Sequence, residues 1–126
     1  MSSRKIGIGC APIDFSDVGR PINSCTIRAL ALCLNIPMRE CIEYAQQYGY
    51  IPGNGMDNRQ ITSMLKGLGF TIVFTNHTYG QFVKTHPEGT YYVVDRDHAS
   101  CVKDGKVWDF IGIGKVKKLE YFVRIF

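Results

Sequence analysis

Apolar residues recur at helical spacing through the first half of the chain and predict three amphipathic helices. Asn35 and Pro37 end the first helix, and Pro37 can occupy the first position of the second. Gly49 ends the second helix, and Asp57 with Gln60 makes a capping-box pair that begins the third. The three apolar stripes are Ile27, Leu30, Ala31 and Leu34; Cys41, Ile42, Ala45 and Tyr48; and Ile61, Met64, Leu65 and Leu68.

The second half of the chain has the composition of strands. Short apolar runs predict strands at FTIVF (70–74), GTYYVV (89–94), HASCVK (98–103), KVWDF (106–110) and LEYFVRIF (119–126). The segment YGQFVKTHPEG has room for one helical turn before Pro87. Asp104 and Gly105 form a dipeptide that favours a tight hairpin between the third and fourth strands. Because helices come first and antiparallel strands follow, we expect an α+β fold.

The length and composition of the chain indicate one domain. The chain has 126 residues, of which 45% are apolar, and this is enough material for one hydrophobic core. Residues 1–20 are rich in Gly, Pro, Ser and Asp and predict an extended arm that leads into the fold. We therefore treat residues 1–126 as a single domain, whose oligomeric state the sequence leaves open.

Charge and hydropathy argue against two classes of partner. Lys and Arg number 15 and Asp and Glu number 11, so the net charge is +4, too small to predict a nucleic-acid-binding surface. No stretch approaches the ~18 apolar residues of a membrane span, and the first residues lack the apolar segment of a signal peptide. We expect a cytoplasmic protein that binds neither nucleic acid nor membrane.

The cysteines are five in number and irregularly spaced, which is typical of free thiols in a reducing compartment. No pair of them has the C-x₂₋₄-C spacing of a structural zinc site, and no Gly-rich segment has the ending of a phosphate-binding loop. We therefore expect no metal and no cofactor. The five are Cys10, Cys25, Cys33, Cys41 and Cys101.

Cys25 stands where the first helix begins, and either Asn23 or Ser24 can cap that helix. The thiolate is the reactive form of cysteine, and both a helix N-terminus and a neighbouring imidazolium stabilise it. His98 begins a predicted strand. The register of the predicted hairpin places Asp109 on the adjacent strand, one diagonal step from His98 and within side-chain reach. These residues make a consistent triad of nucleophile, base and orienting acid.

Three segments resemble the papain-like cysteine peptidase superfamily: NSCTIRALAL around Cys25, GTYYVV from Gly89, and HASCVKDGKVWDF from His98. Within it, the chain is most similar to small C39-like and bacteriophage-encoded cysteine peptidase-like domains, and the likeness runs from Arg20 to the C-terminus. The resemblance implies a papain-like core, with helices packed on an antiparallel sheet. It also implies cleavage of a peptide or isopeptide bond, with Cys25 as nucleophile, His98 as general base and then acid, and Asp109 orienting the imidazole.

One departure from the family pattern concerns the oxyanion hole. Many papain-like enzymes place a Gln six residues before the nucleophile, and that position is Gly19 here. The Asn23 amide is the nearest replacement, with the backbone N–H of Cys25 as a second donor. The orienting acid also has alternatives in Asp95 and Asp97, which flank the same turn as His98.

Two other functions fit the same residues. The first is a catalytically inactive papain-like scaffold that binds a protein, such as a viral factor acting in the host cytoplasm. The second is transglutaminase or deamidase chemistry, which uses the same residue types. In each case the expected partner is a peptide or a protein.

Overall fold

The computed structural model describes residues 25–51, 54–96, 98–108 and 117–126, and within them the fold is mixed α+β, as the sequence predicts. The predicted arm at residues 1–20 lies outside the described residues. The helices are α1 Cys25–Leu34, α2 Met38–Gln46, α3 Asn58–Gly67 and α4 Tyr79–Thr85, and the strands are β1 Val73–Phe74, β2 Thr90–Asp95, β3 Ala99–Lys103, β4 Lys106–Trp108 and β5 Leu119–Arg124.

The ends of the first three helices follow the predicted signals with one shift. Asn35 takes a left-handed conformation (φ 57°), and the N–H of Ile36 donates to the carbonyl of Ala31 at 3.2 Å, which closes α1. Pro37 is the N-cap of α2 and not its first helical residue, because its ψ of 149° is extended. The predicted capping box of α3 is present, and the Gln60 N–H donates to Asp57 Oδ1 at 2.9 Å.

Two local predictions are wrong in extent. The single turn expected before Pro87 is the seven-residue helix α4, which a second capping box begins: the Gln81 N–H donates to Thr78 Oγ1 at 3.1 Å. The five-residue apolar strand is only the two residues of β1. Its first residue, Phe70, instead donates its N–H to the carbonyl of Leu65 and helps to end α3.

The five strands form one antiparallel sheet in the order β1-β5-β2-β3-β4. Asp104 and Gly105 both have positive φ, at 49° and 77°, as a two-residue hairpin of type I′ requires. Lys103 pairs with Lys106 and Cys101 with Trp108, so the predicted hairpin register is confirmed as far as Trp108.

The sheet is covered on both faces, and the two coverings differ in size. Side chains alternate along a strand. Those on one face of the sheet share a hydrophobic core with α1, α2 and α3, of which α1 lies directly on β2 and β3, and we call this the helix face. The opposite face packs against α4, and we call it the α4 face. The helix face includes Tyr92, Val94, Ala99, Cys101 and Val123, and the α4 face includes Tyr91, Val93, Val102, Val107 and Leu119.

None of the helices in the described part of the chain is long and apolar enough to cross a membrane.

Candidate functional site

Cys25 is the first residue of α1, and its side chain is half-buried. The N–H groups of a first helical turn have no partner within the helix and carry a partial positive charge. The helix start is fixed on the sheet because the hydroxyl of Tyr92, on β2, donates to the carbonyl of Thr26 at 3.1 Å. The apolar stripe of α1 and this hydrogen bond together hold the Cys25 thiol at the end of the helix face.

His98 lies immediately before β3. The strand begins at Ala99, one residue later than predicted. Val94 pairs with Ala99 in the ladder, and the N–H of Asp95 donates to the carbonyl of His98 at 2.8 Å. Only residues 96–97 separate Asp95 from His98, so the β2–β3 connection is a tight turn. This turn fixes the backbone of His98 at the same end of the sheet as Cys25.

The side chains of Cys25 and His98 are hydrogen-bonded to each other, so the structure brings the predicted nucleophile and base together. Burial raises the pKa of the Cys25 thiol, but the hydrogen bond from His98, the N–H of Ala99, the charge of His98 and the hydroxyl of Thr26 together lower it further. The net pKa lies below the ordinary value of a thiol. The site therefore stabilises the nucleophilic thiolate.

The other described cysteines give a contrast. Cys33, Cys41 and Cys101 are buried free thiols. Burial raises the pKa of Cys41 to about 12, and burial together with a hydrogen-bonded Cys101 raises the pKa of Cys33 well above its ordinary value. Of Cys25, Cys33 and Cys41, therefore, Cys25 is the one whose thiol has a lowered pKa.

A cavity of about 90 Å³ opens onto the thiol, and we call it the thiol pocket. The start of α3 and the end of β2 line it together with Cys25 and His98. Asn58 follows the cap of α3 and lines this pocket, and no sequence pattern marks it as a site residue. The full lining is Cys25, Thr26, Met56, Asn58, Ile61, Val94, Asp95, Arg96, His98 and Ala99.

Asp95 was an alternative to Asp109 as the acid that orients His98. The structure places the buried Asp95 in the pocket lining, and its carboxylate also reaches groups on the α4 side. Tyr79 on α4 donates its hydroxyl to Asp95 Oδ2 at 3.4 Å or to Ser100 Oγ at 3.2 Å, and Lys117 Nζ lies 3.7 Å from Asp95 Oδ1. Asp95 thus anchors the turn that carries His98 through its backbone and a buried network.

Three other predicted residues lie outside the described part of the chain: Asp109, the proposed orienting acid; Asn23, the proposed oxyanion donor; and Asp97, the other alternative acid. Two contributors to the site were missed by sequence reasoning, the backbone N–H of Ala99 and the hydroxyl of Thr26. Thr26 is adjacent to Cys25 in the sequence, but the direction of a backbone N–H has no signal in residue identity.

In the described ranges, no group of three His, Cys, Asp or Glu residues is arranged to hold a metal ion. Comparisons of this chain with protein-family models, with curated proteins and with solved structures gave no match. The papain-like resemblance therefore stays a prediction made from the three quoted segments.

Proposed function

We propose that this protein is a thiol-dependent acyl-transfer enzyme, a cysteine peptidase-like hydrolase that cleaves a peptide or isopeptide bond. One observation carries the proposal: a half-buried thiol at a helix N-terminus is hydrogen-bonded to an imidazole and has a lowered pKa. Activated thiolates of this kind are the nucleophiles of covalent acyl transfer. A papain-like core accords with α1 packed on the helix face of an antiparallel sheet.

The proposed reaction needs only groups that this chain provides. The Cys25 thiolate attacks the carbonyl carbon of the substrate, and the protonated His98 gives its proton to the leaving amine as the C–N bond breaks. The product is a thioester between Cys25 and the acyl group. Water then attacks this thioester while His98 accepts a proton, and the carboxylic acid and the free thiolate are released. No cofactor takes part, and a reducing cytoplasm is the compartment that keeps the thiol active.

Two assignments within this mechanism come from the sequence. The backbone N–H of Cys25, in the first turn of α1, and the Asn23 amide are the proposed donors to the oxyanion. Asp109 is the proposed orienting residue for the imidazole. The hairpin register that led to Asp109 agrees with the observed pairing up to Trp108.

The first test measures the alkylation rate of each cysteine by iodoacetamide against pH, with peptide mapping by mass spectrometry. We expect Cys25 to react first, at a pH below that of an ordinary thiol, and His98→Ala to move its profile to higher pH. Cys41 is an internal control, since its pKa is about 12. A Cys25 that reacts like an ordinary thiol, with no effect of His98→Ala, would contradict the proposal.

The second test is for turnover. The wild type, Cys25→Ala and His98→Ala are each incubated with a peptide mixture prepared from a whole proteome, and new termini are identified by mass spectrometry. We expect termini that depend on Cys25, with a rate about 10²–10⁴-fold lower in His98→Ala. Mass shifts at Gln without cleavage would assign the site to deamidation or transglutamination. Binding of a peptide without any turnover would assign the chain to an inactive scaffold.

A further inference from the structure

A wide groove of about 690 Å³ adjoins the thiol pocket, and we call it the basic groove. Asn58 and Arg96 line both cavities, so the groove lies next to the pocket that holds the Cys25 thiol. Its other walls come from the first turn of α3, from β1 and from the start of β5. A substrate chain long enough to leave the thiol pocket on this side enters the groove.

The exposed charges of the basic groove are mostly positive. Arg59, Arg96 and Lys118 line it, and none of them forms an ion pair within the described ranges. The one acid in the lining is Glu120, whose carboxylate accepts a hydrogen bond from Asn58 Nδ2 at 3.4 Å. By contrast, Lys117 beside the groove lies 3.7 Å from the buried Asp95. Three cations facing one acid produce a positive potential that attracts an anionic ligand.

The groove also has an apolar wall on an outer strand of the described sheet. Phe74 on β1 is 77% exposed, and its ring lies edge-on to Tyr121 with the centroids 6.1 Å apart. Its neighbour Val73 is 42% exposed. Large exposed apolar side chains beside polar groups are typical of a contact surface, and an outer strand offers backbone groups to an extended peptide.

Resting on the proposed function, we propose that the basic groove selects substrates whose chain carries acidic residues next to the scissile bond, followed by an apolar residue. Arg96 lines both cavities and therefore receives the acid closest to the scissile carbonyl. Arg59 and Lys118 receive acids further along, and Phe74 contacts the apolar side chain. A peptide fits better than a nucleic acid because the groove ends at an acyl-transfer thiol and the chain's net charge is only +4.

The test measures binding to Cys25→Ala, which cannot turn over the probe, by fluorescence anisotropy at low and physiological salt. The probes are a labelled decapeptide containing three Glu and one Leu, the same peptide with Lys in place of Glu, and a labelled single-stranded oligonucleotide. We expect the Glu peptide to bind best and to weaken with added salt. The double reversal Arg96→Glu with Lys118→Glu should weaken it about tenfold.

Lys106→Glu is the matched control, because Lys106 is an exposed lysine on β4 and is not in the groove lining. It makes the same charge change as either groove reversal alone and should leave the affinity within about twofold. Thermal unfolding of each variant checks that the fold is kept. Equal or absent binding of the Glu and Lys peptides would overturn the proposal. Tightest binding of the oligonucleotide, lost in the double reversal, would also overturn it and assign the groove to nucleic acid.

The same design separates this proposal from the proposed function. If the Glu peptide binds selectively but the wild type cleaves no peptide, the groove assignment is supported and the peptidase function is contradicted. If the wild type cleaves peptides irrespective of their charge, the peptidase function is supported and the groove assignment is contradicted.

Discussion

The thiol pocket and the basic groove share two lining residues and differ in whether their polar side chains already have partners within the protein. In the small pocket, Cys25 is half-buried and receives hydrogen bonds from His98, Ala99 and Thr26. In the large groove, the cations are exposed and lack ion pairs within the described ranges. A catalytic thiolate must be stabilised by fixed dipoles before the substrate arrives. A recognition surface instead needs charged side chains that remain available to pair with a ligand.

The sharpest way to separate the two regions is Cys25→Ser, which has the largest expected effect. The hydroxyl is far less acidic than the thiol, so the hydrogen bond with His98 no longer yields an anionic nucleophile. We expect the turnover of a cleaved peptide to fall by about 10³-fold or more, while anisotropy gives the same affinity for the Glu peptide. Retention of more than a tenth of the rate would mean that another group attacks the substrate.

A mutation on the α4 face tests whether the pocket depends on the opposite side of the sheet. Asp95→Asn removes the charge that faces Lys117 and weakens the acceptor for Tyr79. We expect a loss of about 1–3 kcal/mol in the free energy of unfolding, measured by urea titration. Tyr79→Phe is the milder comparison, with a loss of about 0.5–1.5 kcal/mol.

The same variant distinguishes a structural from a positioning role for Asp95. If Asp95 only anchors the turn, the pH profile of Cys25 alkylation keeps its shape in folded Asp95→Asn. A profile displaced to higher pH without loss of stability would mean that Asp95 acts on His98, in place of Asp109.

The smallest expected effect concerns pH and the two kinds of thiol. The pKa of Cys41 is raised to about 12 in the fold and is ~8.5 in an unfolded chain. Its contribution to stability is complete below pH ~8.5 and is lost as the pH rises towards 12. The pKa of Cys25 is lowered, so its contribution is present above ~8.5 and is lost as the pH falls through its folded value.

Urea titrations at pH 7 and pH 10 check this difference. We expect the wild type to be less stable at pH 10, because buried groups such as Cys41 and Tyr92 have raised pKa values. Cys41→Ala should be less stable than the wild type at pH 7, but its free energy of unfolding should fall less between pH 7 and pH 10. The free energy of unfolding of Cys25→Ala should fall more than that of the wild type over the same pH interval. An equal pH dependence in both variants would contradict the assigned directions.

Local signals explain what the sequence predicted well. The capping box at Asp57 and the hairpin at Asp104 and Gly105 depend on neighbouring residues, and both are confirmed. The second capping box, at Thr78, is equally local but was not predicted, because the strongest signal in this segment is Pro87, which indicates only where a helix must end. The strand from Phe70 was overestimated because an apolar run also serves to close a helix.

The candidate site depends on tertiary packing and was only partly predictable. The pairing of Cys25 with His98 was predicted from the helix start and the strand positions and agrees with the resemblance, and the structure places their side chains in contact. The basic groove had no signal in the sequence, because Arg59, Arg96 and Lys118 come from three separate segments. They meet only when α3, the β2–β3 turn and the start of β5 are folded together.

The tight β2–β3 turn has a consequence for kinetics. Arg96, which lines the groove, and His98, which is hydrogen-bonded to the Cys25 thiol, belong to one turn fixed by the hydrogen bond from Asp95 to the carbonyl of His98. If the proposed groove binds substrate, a ligand that restrains Arg96 would also restrain the backbone of His98 through this turn. Part of the binding energy of a matching substrate would then be expressed as faster turnover, and a substrate lacking the matching charge would be penalised in kcat as well as in KM.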